Sequence, residues 1–463
     1  MREVISISAS HRTNHVLTQF YNCQEQSLHS ADAENDPTVF LNPTVDRISK
    51  TVSYAPRAIL WDANGGAGSL GVHQYSETKD YYYDAHHKPE ETDPNIKLIH
   101  TQPRIPQSEY QTALDLGLPL PELDDKNTVF WSDYAKLVFG PANLNFLNDW
   151  YHNVQDPSCP DFHNLHQTLF DNFDVGLHEF KTNHATQFFD QQLHSQLESC
   201  DGLQAINLLS EVDNGWGGFS SSLLVEMRDE LPKTDVISWG FNNDDVLTLN
   251  QPIHSTRTKF QMICNKIRSS LALVRDSTLH FPIYSSPHES LWRSAGSTML
   301  LFDAVNSVGS YQGEAKNTSL GYLIGALTHD EPHRNILSGL TAEEHDFSFY
   351  SRVPKYRTSG SQIYSKLSIA RGSTPTSENK ATINTSEWLP SDTIPAEYRT
   401  NSCYSVDLSV TEKPRDIFKN WFDLVSRHFK YDSDREELKE ELGSLAALYE
   451  EGWYDDDDSG DDL

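Results

Sequence analysis

The amino-acid sequence predicts an α/β fold with a doubly wound, mainly parallel sheet, a second smaller α+β domain and a C-terminal helical region. Two observations predict it. Strand and helix patterns alternate over roughly the first 280 residues, as in parallel sheets covered by helices. Hydrophobic residues make up 37% and aromatic residues 11% of the 463-residue chain, enough to bury a substantial core. This length suggests two or three domains.

The N-terminal elements follow from hydrophobic periodicity. The clearest helix covers 256–277, where Phe260, Ile263, Ile267, Leu271 and Val274 form one continuous stripe. Alternating or continuous apolar runs predict strands at 4–8, 57–62, 203–210 and 235–239. The other predicted helices begin after Asn14, cover 173–200, and run from a Ser220–Ser222 cap to Pro232.

Regularity fades after residue 285, and residues 351–400, rich in Ser, Thr, Pro and basic residues, are predicted as loops over the second domain. Two helices close the chain, one at about 415–430 and one carrying Leu438, Leu442, Leu445 and Leu448. The first domain is predicted to cover 1–254, with a surface insertion at 72–110. A central helix at 255–278 leads into the second domain at 279–400. C-terminal helices at 401–453 and a disordered acidic tail at 454–463 complete the predicted division.

Charge and cysteine content exclude several classes of function. The net charge of -31 repels phosphate backbones, and no basic run offsets it, so direct nucleic-acid binding is not expected. Five scattered cysteines without a CxxC pair indicate free thiols in a reducing compartment and no zinc finger. We predict no metal site, because the histidines of the insertion have no metal-binding spacing and are expected to be exposed; they are His73, His86, His87 and His100.

The sequence shows no targeting or membrane segment. No apolar stretch approaches the ~20 residues that span a bilayer. The N-terminus has neither the layout of a signal peptide nor the Arg-rich character of a mitochondrial transit peptide. The residues alone therefore indicate a cytosolic protein.

Catalytic motifs are absent. Gly66-x-Gly68-x-x-Gly71 matches a dinucleotide fingerprint, but neither an amphipathic helix nor an acid-terminated second strand follows, so a glycine-rich turn is favoured. The sequence has no GxxxxGK[ST], GxSxG or HExxH motif, and its 20 histidines form no catalytic spacing. We therefore predict no catalytic residue.

The loop at 213–219 is more informative, because a buried strand leads into Gly215-Trp-Gly-Gly218 and a helix follows directly. Backbone N–H groups and the helix dipole can hold phosphate in such an arrangement. The alternative is a tight turn that uses glycine for a positive φ, and the local sequence alone favours this turn.

Five segments, in order across about 240 residues, resemble tubulins. They are the opening strand Met1-Arg-Glu-Val-Ile-Ser-Ile-Ser-Ala, the second strand Tyr54-Ala-Pro-Arg-Ala-Ile-Leu60, the lead-in Glu198-Ser-Cys-Asp-Gly-Leu-Gln204, the glycine loop Asn214-Gly-Trp-Gly-Gly-Phe-Ser220, and the helix end Met227-Arg-Asp-Glu-Leu-Pro232. The resemblance implies a tubulin-like fold.

Within that superfamily, the chain resembles the Misato family. The similarity lies in the insertion at 72–110, in Val129-Phe-Trp-Ser-Asp-Tyr134 and in Leu448-Tyr-Glu-Glu-Gly-Trp453 before the acidic tail. Fungal Misato members are associated with mitochondrial inheritance. The resemblance therefore implies a role in partitioning mitochondria and their DNA and in mitochondrial distribution and morphology, with a location at the mitochondrion and in the cytoplasm. It leaves open the side of the mitochondrial membranes, although the absence of a transit peptide favours the cytosolic face.

Departures from the tubulin pattern lie in the loops that bind the nucleotide in tubulins. Tubulins carry Gly-Gln-Cys-Gly-Asn where this chain has Ser10-His-Arg-Thr-Asn14, and Trp216 and Phe219 replace small residues. Both large side chains are expected to crowd the phosphate path unless Trp216 points outward. No counterpart of the tubulin catalytic acid follows the central helix, where Asp303 and Asn306 occur in reversed order. If any nucleotide binds, the resemblance places it at Asn14, Asn214, Gly215, Gly217, Gly218 and Ser220.

These observations favour a non-enzymatic tubulin-like protein without a required cofactor, acting through protein partners. Two alternatives stay open: a GTP-binding assembly protein of the cytoskeleton, and a co-factor of tubulin folding or spindle assembly. Tubulin or chaperonin subunits are the partners that the resemblance implies.

Overall fold

The computed structural model describes residues 2–30, 34–45, 50–72, 105–140, 142–153, 160–163, 168–243, 256–285, 289–313, 319–329, 331–348, 362–372, 381–399, 402–430 and 432–450. The histidines of the predicted insertion and the predicted acidic tail lie outside the described residues.

A seven-stranded sheet organises the first part of the chain, in the order β6-β5-β4-β1-β7-β8-β9. All neighbouring strands are parallel except the antiparallel pair at the β5–β6 edge. The strands are β1 (Glu3–Ala9), β4 (Ala58–Asn64), β5 (Leu144–Tyr151), β6 (Phe162–His163), β7 (Leu203–Glu211), β8 (Val236–Asn243) and β9 (Leu279–Ser285). A separate hairpin pairs β2 (Leu41–Val45) with β3 (Val52–Pro56). The predicted doubly wound parallel sheet is confirmed.

Helices cover both faces of this sheet. They are α1 (His11–Leu28), α2 (Glu109–Leu116), α3 (Phe173–Glu179), α4 (Ala185–Gln187), α5 (His194–Glu198), α6 (Gly215–Glu230), α7 (Thr256–Asp276), α8 (Leu291–Ser310) and α9 (Leu320–Thr328). The helix predicted at 173–200 is interrupted by π-helical turns at Phe180–His184 and Phe188–Leu193, which separate α3, α4 and α5. The predicted central helix is α7.

A second sheet follows, in the order β11-β10-β14-β12-β13. Its strands are β10 (Gly339–Ala342), β11 (His345–Asp346), β12 (Ile363–Arg371), β13 (Thr382–Thr385) and β14 (Tyr404–Thr411). The prediction of loops over 351–400 was therefore wrong for β12 and β13. β12 is largely buried and pairs along its length with β14, so its apolar residues at alternate positions mark a core strand.

Two helices, α10 (Pro414–His428) and α11 (Arg435–Leu448), close the described chain and pack against each other, as their apolar stripes predict. α8 is buried over nearly its whole length, because α1 and the second sheet both pack on it. One continuous hydrophobic cluster includes residues of both sheets. The first sheet also extends beyond residue 254, since β9 pairs with β8. None of the described helices is long and apolar enough to span a membrane.

Candidate functional site

The strand order reverses direction at β1, because the chain adds β4 and β5 on one side of it and β7, β8 and β9 on the other. Ligands of open α/β sheets bind at the carboxyl ends of the strands near such a reversal. Residues that follow β1, β4, β5 and β7 meet at this edge, and they form the candidate site.

The segment after β1 begins α1 earlier than predicted. The helix starts at His11, not after Asn14, because Ser10 acts as its N-cap and its Oγ accepts a hydrogen bond from Thr13 N at 3.2 Å. Asn14 lies in the first turn, fully buried, and its Nδ2 donates to Trp61 O at 3.0 Å and Asp62 Oδ2 at 3.2 Å. The Asn14 side chain therefore links the first turn of α1 to the end of β4.

The glycine segment after β7 is helical and not a loop. α6 begins at Gly215, and Asn214 caps it by accepting a hydrogen bond from Trp216 N at 2.9 Å. The predicted Ser220–Ser222 cap was wrong: all three serines lie inside α6 and are buried. Ser220 Oγ has no hydrogen-bond partner in the described part of the chain. An Asn at the N-cap satisfies the helix end better than serines one turn further on.

The first N–H groups of α6 already have acceptors within the protein. Gly215 N donates to Phe170 O at 3.0 Å, Trp216 N to the Asn214 side chain, and Gly217 N to Asn214 O at 3.3 Å. A phosphate at a helix N-terminus would need these same N–H groups.

The glycines of α6 serve helix packing. None of Gly215, Gly217 and Gly218 has a positive φ, so the tight-turn interpretation was wrong. A Cβ on Gly218 would lie 1.8 Å from Phe173 O in α3, and one on Gly215 would lie 2.9 Å from Phe170 O. Because these glycines have no side chains, the backbones of α3 and α6 can touch where the two helices cross.

Trp216 and Phe219 point inward, so the outward orientation considered for Trp216 is wrong. Trp216 is 2% exposed, and its Nε1 donates to Asp161 Oδ2 at 3.0 Å. The two rings pack edge-to-face with centroids 5.4 Å apart, and Phe170 packs on Trp216 in the same way. Large aromatic side chains thus pack against one another at the first turn of α6.

A cluster of histidine and aspartate side chains, here called the His–Asp cluster, lies beside these aromatic rings. It consists of His11, Asp62, His152 and Asp161, all buried. His11 Nδ1 lies 3.1 Å from Asp62 Oδ2, and His152 Nδ1 lies 3.0 Å from Asp161 Oδ1. The imidazole rings of His11 and His152 stack with centroids 4.2 Å apart.

Further hydrogen bonds hold the cluster in place. Asp62 Oδ2 accepts from Trp131 Nε1 at 2.8 Å, and Asp62 Oδ1 accepts from Ala63 N at 2.9 Å. His15 Nδ1 contacts Tyr134 OH at 2.7 Å, one helical turn beyond His11. The segment containing Trp131 and Tyr134 therefore closes over the start of α1.

Charge in the His–Asp cluster is balanced by pairing. Burial alone would lower the pKa of His11, but the Asp62 carboxylate outweighs it and raises that pKa above its usual value. Burial opposes ionisation of Asp62, yet His11 and the Trp131 hydrogen bond keep the pKa of Asp62 below its usual value. Burial lowers the pKa of His15 well below its usual value, and charge on His11 adds to this. Their mutual contact thus favours the charged forms of His11 and Asp62, and burial favours the neutral form of His15.

The structure places the six predicted nucleotide positions after the adjacent strands β1 and β7. Asn14 Nδ2, the Asn214 side chain and the N–H groups of Gly215 and Gly217 bind other parts of the protein. Asn14 Oδ1 and Ser220 Oγ are buried without a hydrogen-bond partner among the described residues. The sequence did not reveal the His–Asp cluster, because its members are separated by 51 to 150 residues, apart from the pair His152 and Asp161. The sequence signal that could have indicated the cluster is a polar residue near the end of a buried strand, as in Asp62 after an apolar run.

Comparison with known proteins identifies this architecture. Two family models match: a Misato Segment II tubulin-like domain over residues 2–116 and a Tubulin domain over residues 120–309. Protein DML1 of Kluyveromyces lactis is 50% identical over 473 aligned positions that cover 100% of both chains. The chain belongs to the Misato family of tubulin-like proteins.

Other Misato relatives also match over their whole length. Protein DML1 of Eremothecium gossypii is 42% identical and that of Yarrowia lipolytica 27% identical, each with 100% of both chains covered. The Tubulin domain match ends at the C-terminal end of α8, so the second sheet follows the matched region. The predicted family and the tubulin-like α/β fold are therefore confirmed.

Proposed function

We propose that this Misato-family protein is not a GTPase and acts through protein partners in partitioning mitochondria and their DNA. One observation carries the non-enzymatic part: the N–H groups at the start of α6 are bonded to Phe170 O and Asn214. A phosphate at this helix end would have to break these bonds.

The residues near the expected position of a catalytic acid support the same proposal. Asp303 is buried in α8, where it pairs with Arg371 and accepts a hydrogen bond from Tyr404 OH at 2.9 Å. Asn306 Oδ1 accepts from Asn207 Nδ2 at 2.7 Å. Both side chains are committed to packing α8 against the two sheets, so neither is available to activate a hydrolytic water.

The mitochondrial role rests on the family resemblance. We propose a location at the cytosolic face of the mitochondrion and in the cytoplasm, with tubulin or chaperonin subunits as partners to test. The acidic net charge of -31 favours basic protein surfaces over nucleic acid.

The nucleotide content of the purified full chain tests the non-enzymatic proposal. After denaturation, the supernatant should contain far less than one equivalent of guanine nucleotide, and phosphate release from added GTP should stay at background. One equivalent of bound nucleotide together with turnover would favour the alternative of a GTP-dependent assembly protein. The cellular part is tested separately, by asking whether cells that lack the protein lose mitochondrial DNA at division and whether the full chain restores it.

A further inference from the structure

His152 presents an unusual buried nitrogen. The side chain is 3% exposed, and its Nε2 has no hydrogen-bond partner among the described residues. Its Nδ1 faces Asp161 Oδ1 at 3.0 Å, while Asp161 Oδ2 accepts the Trp216 Nε1 hydrogen at 3.0 Å. Asp161 Oδ1 is placed to accept a hydrogen bond from the Nδ1–H of His152. Nε2 is the ring nitrogen that lacks a partner in the protein interior.

A carboxylate that orients a histidine in this way is the usual support of a metal-binding imidazole. The outer carboxylate sets the tautomer and makes the other ring nitrogen a better electron donor. Trp216, a donor only, fixes the Asp161 carboxylate in turn. The arrangement from Trp216 through Asp161 to His152 therefore prepares Nε2 for a cation.

Two further ligand groups lie close to the His152 ring. His11, Asp62 and His152 each offer one ligand atom, and these atoms all lie within 4.8 Å of one another. His11 Nδ1 and Asp62 Oδ2 are 3.1 Å apart, close to the ~3.3 Å edge expected for a tetrahedral zinc site with ~2.0 Å bonds. A metal would replace the hydrogen bond between His11 and Asp62 and draw the His152 ring towards them.

We propose that His11, Asp62 and His152 bind one divalent transition-metal ion of the zinc class. Two imidazoles and one carboxylate favour such an ion over Mg²⁺ or Ca²⁺, which prefer oxygen ligands. The ligands follow β1, lie in β4 and follow β5, so the ion would link the ends of three strands. The ion would have a structural role. It would bind at the sheet edge where the N–H groups of the altered tubulin-type loops are already hydrogen-bonded within the protein. The proposal does not depend on the mitochondrial role.

The test uses the tag-free full chain, stripped with a chelator and titrated with ZnSO₄ by calorimetry and with Co²⁺ by visible absorption. We expect one equivalent of either metal, with Co²⁺ bands typical of four- or five-coordinate nitrogen and oxygen ligands. Zinc should also raise the melting temperature, because a ligand that binds only the folded state stabilises it.

Three variants locate the site. His152→Gln removes the prepared nitrogen and should abolish stoichiometric binding. Asp161→Asn is sharper because it keeps size and shape: Trp216 would hold the amide oxygen, and the amide N–H₂ would face His152 Nδ1. That contact forces the His152 proton onto Nε2, so affinity should fall ~10–100-fold. As a matched control, His280→Gln replaces a buried histidine that hydrogen-bonds Ser238 and should leave metal binding unchanged.

A second control separates this site from the histidines of the insertion. Replacing His73, His86, His87 and His100 with Gln should leave the single equivalent intact. Far-ultraviolet circular dichroism and a melting curve of each metal-free variant show that it is folded. The proposal is overturned if the wild-type chain binds no equivalent of zinc or Co²⁺. It is equally overturned if folded His152→Gln and Asp161→Asn proteins bind as tightly as the wild type, or if the insertion variant alone loses binding.

Discussion

Ser10 holds a backbone conformation that glycine usually occupies. Its φ of 149° and ψ of 157° lie in a region that is nearly exclusive to glycine, and the residue is fully buried. It aligns with the first glycine of the tubulin phosphate loop. Ser10 thus combines a conformation typical of glycine with a side chain that caps α1.

Ser10→Gly should stabilise the protein. The substitution relieves strain of about 1–3 kcal/mol, whereas the loss of the serine cap and the freer unfolded chain cost less than that in sum, so a net gain of ~1 kcal/mol is expected. Ser10→Ala keeps the strain and loses the cap, so it should destabilise by ~1 kcal/mol. Chemical denaturation shows whether each variant raises or lowers the free energy of unfolding. Equal destabilisation by both would mean that Ser10 is not strained.

Glu211 at the end of β7 gives the site a pH dependence. Burial raises the pKa of Glu211 to about 7, Arg12 opposes this, and Asp213 and Asp161 add to it. In the unfolded chain a glutamate has a pKa of ~4.3. Between these values the folded state holds a proton that the unfolded state has lost, so stability falls as pH rises from about 4.5 to 7 and then stays low.

Glu211→Gln should therefore stabilise the protein at pH 8 and not at pH 5. Gln keeps an acceptor for Asn214 Nδ2 but cannot ionise. The expected gain in the free energy of unfolding at pH 8 is on the order of 2 kcal/mol. It is smaller than the free energy that corresponds to the whole pKa difference, because the Glu211 side chain is only partly buried. Unfolding free energies of both proteins across this pH range provide the check, and a difference independent of pH would show that Glu211 ionises normally when folded.

At the scale of elements, α6 depends on its contact with α3. A Cβ on Gly218 meets backbone, Phe173 O at 1.8 Å, which cannot move without separating the helices. A Cβ on Gly217 meets Ser269 Oγ at 2.1 Å, which can rotate away, and Ser269 Cβ at 2.8 Å, which requires a small shift of α7. The glycines that resemble a phosphate loop are thus explained by packing.

Alanine substitutions test this explanation. Gly218→Ala should destabilise by about 3 kcal/mol, Gly217→Ala by about 1–2 kcal/mol. Gly443→Ala is the matched control: it lies inside α11, where a Cβ meets nothing within 4 Å, so it should stabilise by ~0.5–1 kcal/mol. Denaturant midpoints give the ranking, and a harmless Gly218→Ala would remove the packing argument.

Elements with strong periodicity could be predicted from the sequence, and tertiary contacts could not. α7 follows from its stripe and β7 from its apolar run, because local pattern dictates them. The start of α6 was misplaced, because a Gly-rich run signals a turn unless a partner helix, here α3, lies against it. The His–Asp cluster depends on strand order, which brings His152 and Asp62 together, and no spacing in the sequence encodes that order.

At the scale of the whole molecule, the C-terminal segment is anchored shortly before the acidic run. Tyr449 is fully buried, its hydroxyl accepts a hydrogen bond from Ile336 N at 3.1 Å, and its carbonyl accepts one from Tyr364 OH at 3.0 Å. α11 therefore closes against the second sheet within the described chain. The residues beyond 453 contribute six of the aspartates behind the net charge of -31.

Deleting residues 454–463 should leave the melting temperature unchanged or raise it slightly. The aspartates repel one another and the rest of an acidic protein, and they carry almost no apolar surface to offset the entropy of ordering. Any rise should be larger at low ionic strength, since salt screens the repulsion. Complementation in cells that lack the protein separates two roles for the segment: a stable, inactive truncation makes it a docking element for a basic partner, and a stable, active one makes it solubilising charge. A large loss of stability would mean that this segment packs on the folded protein.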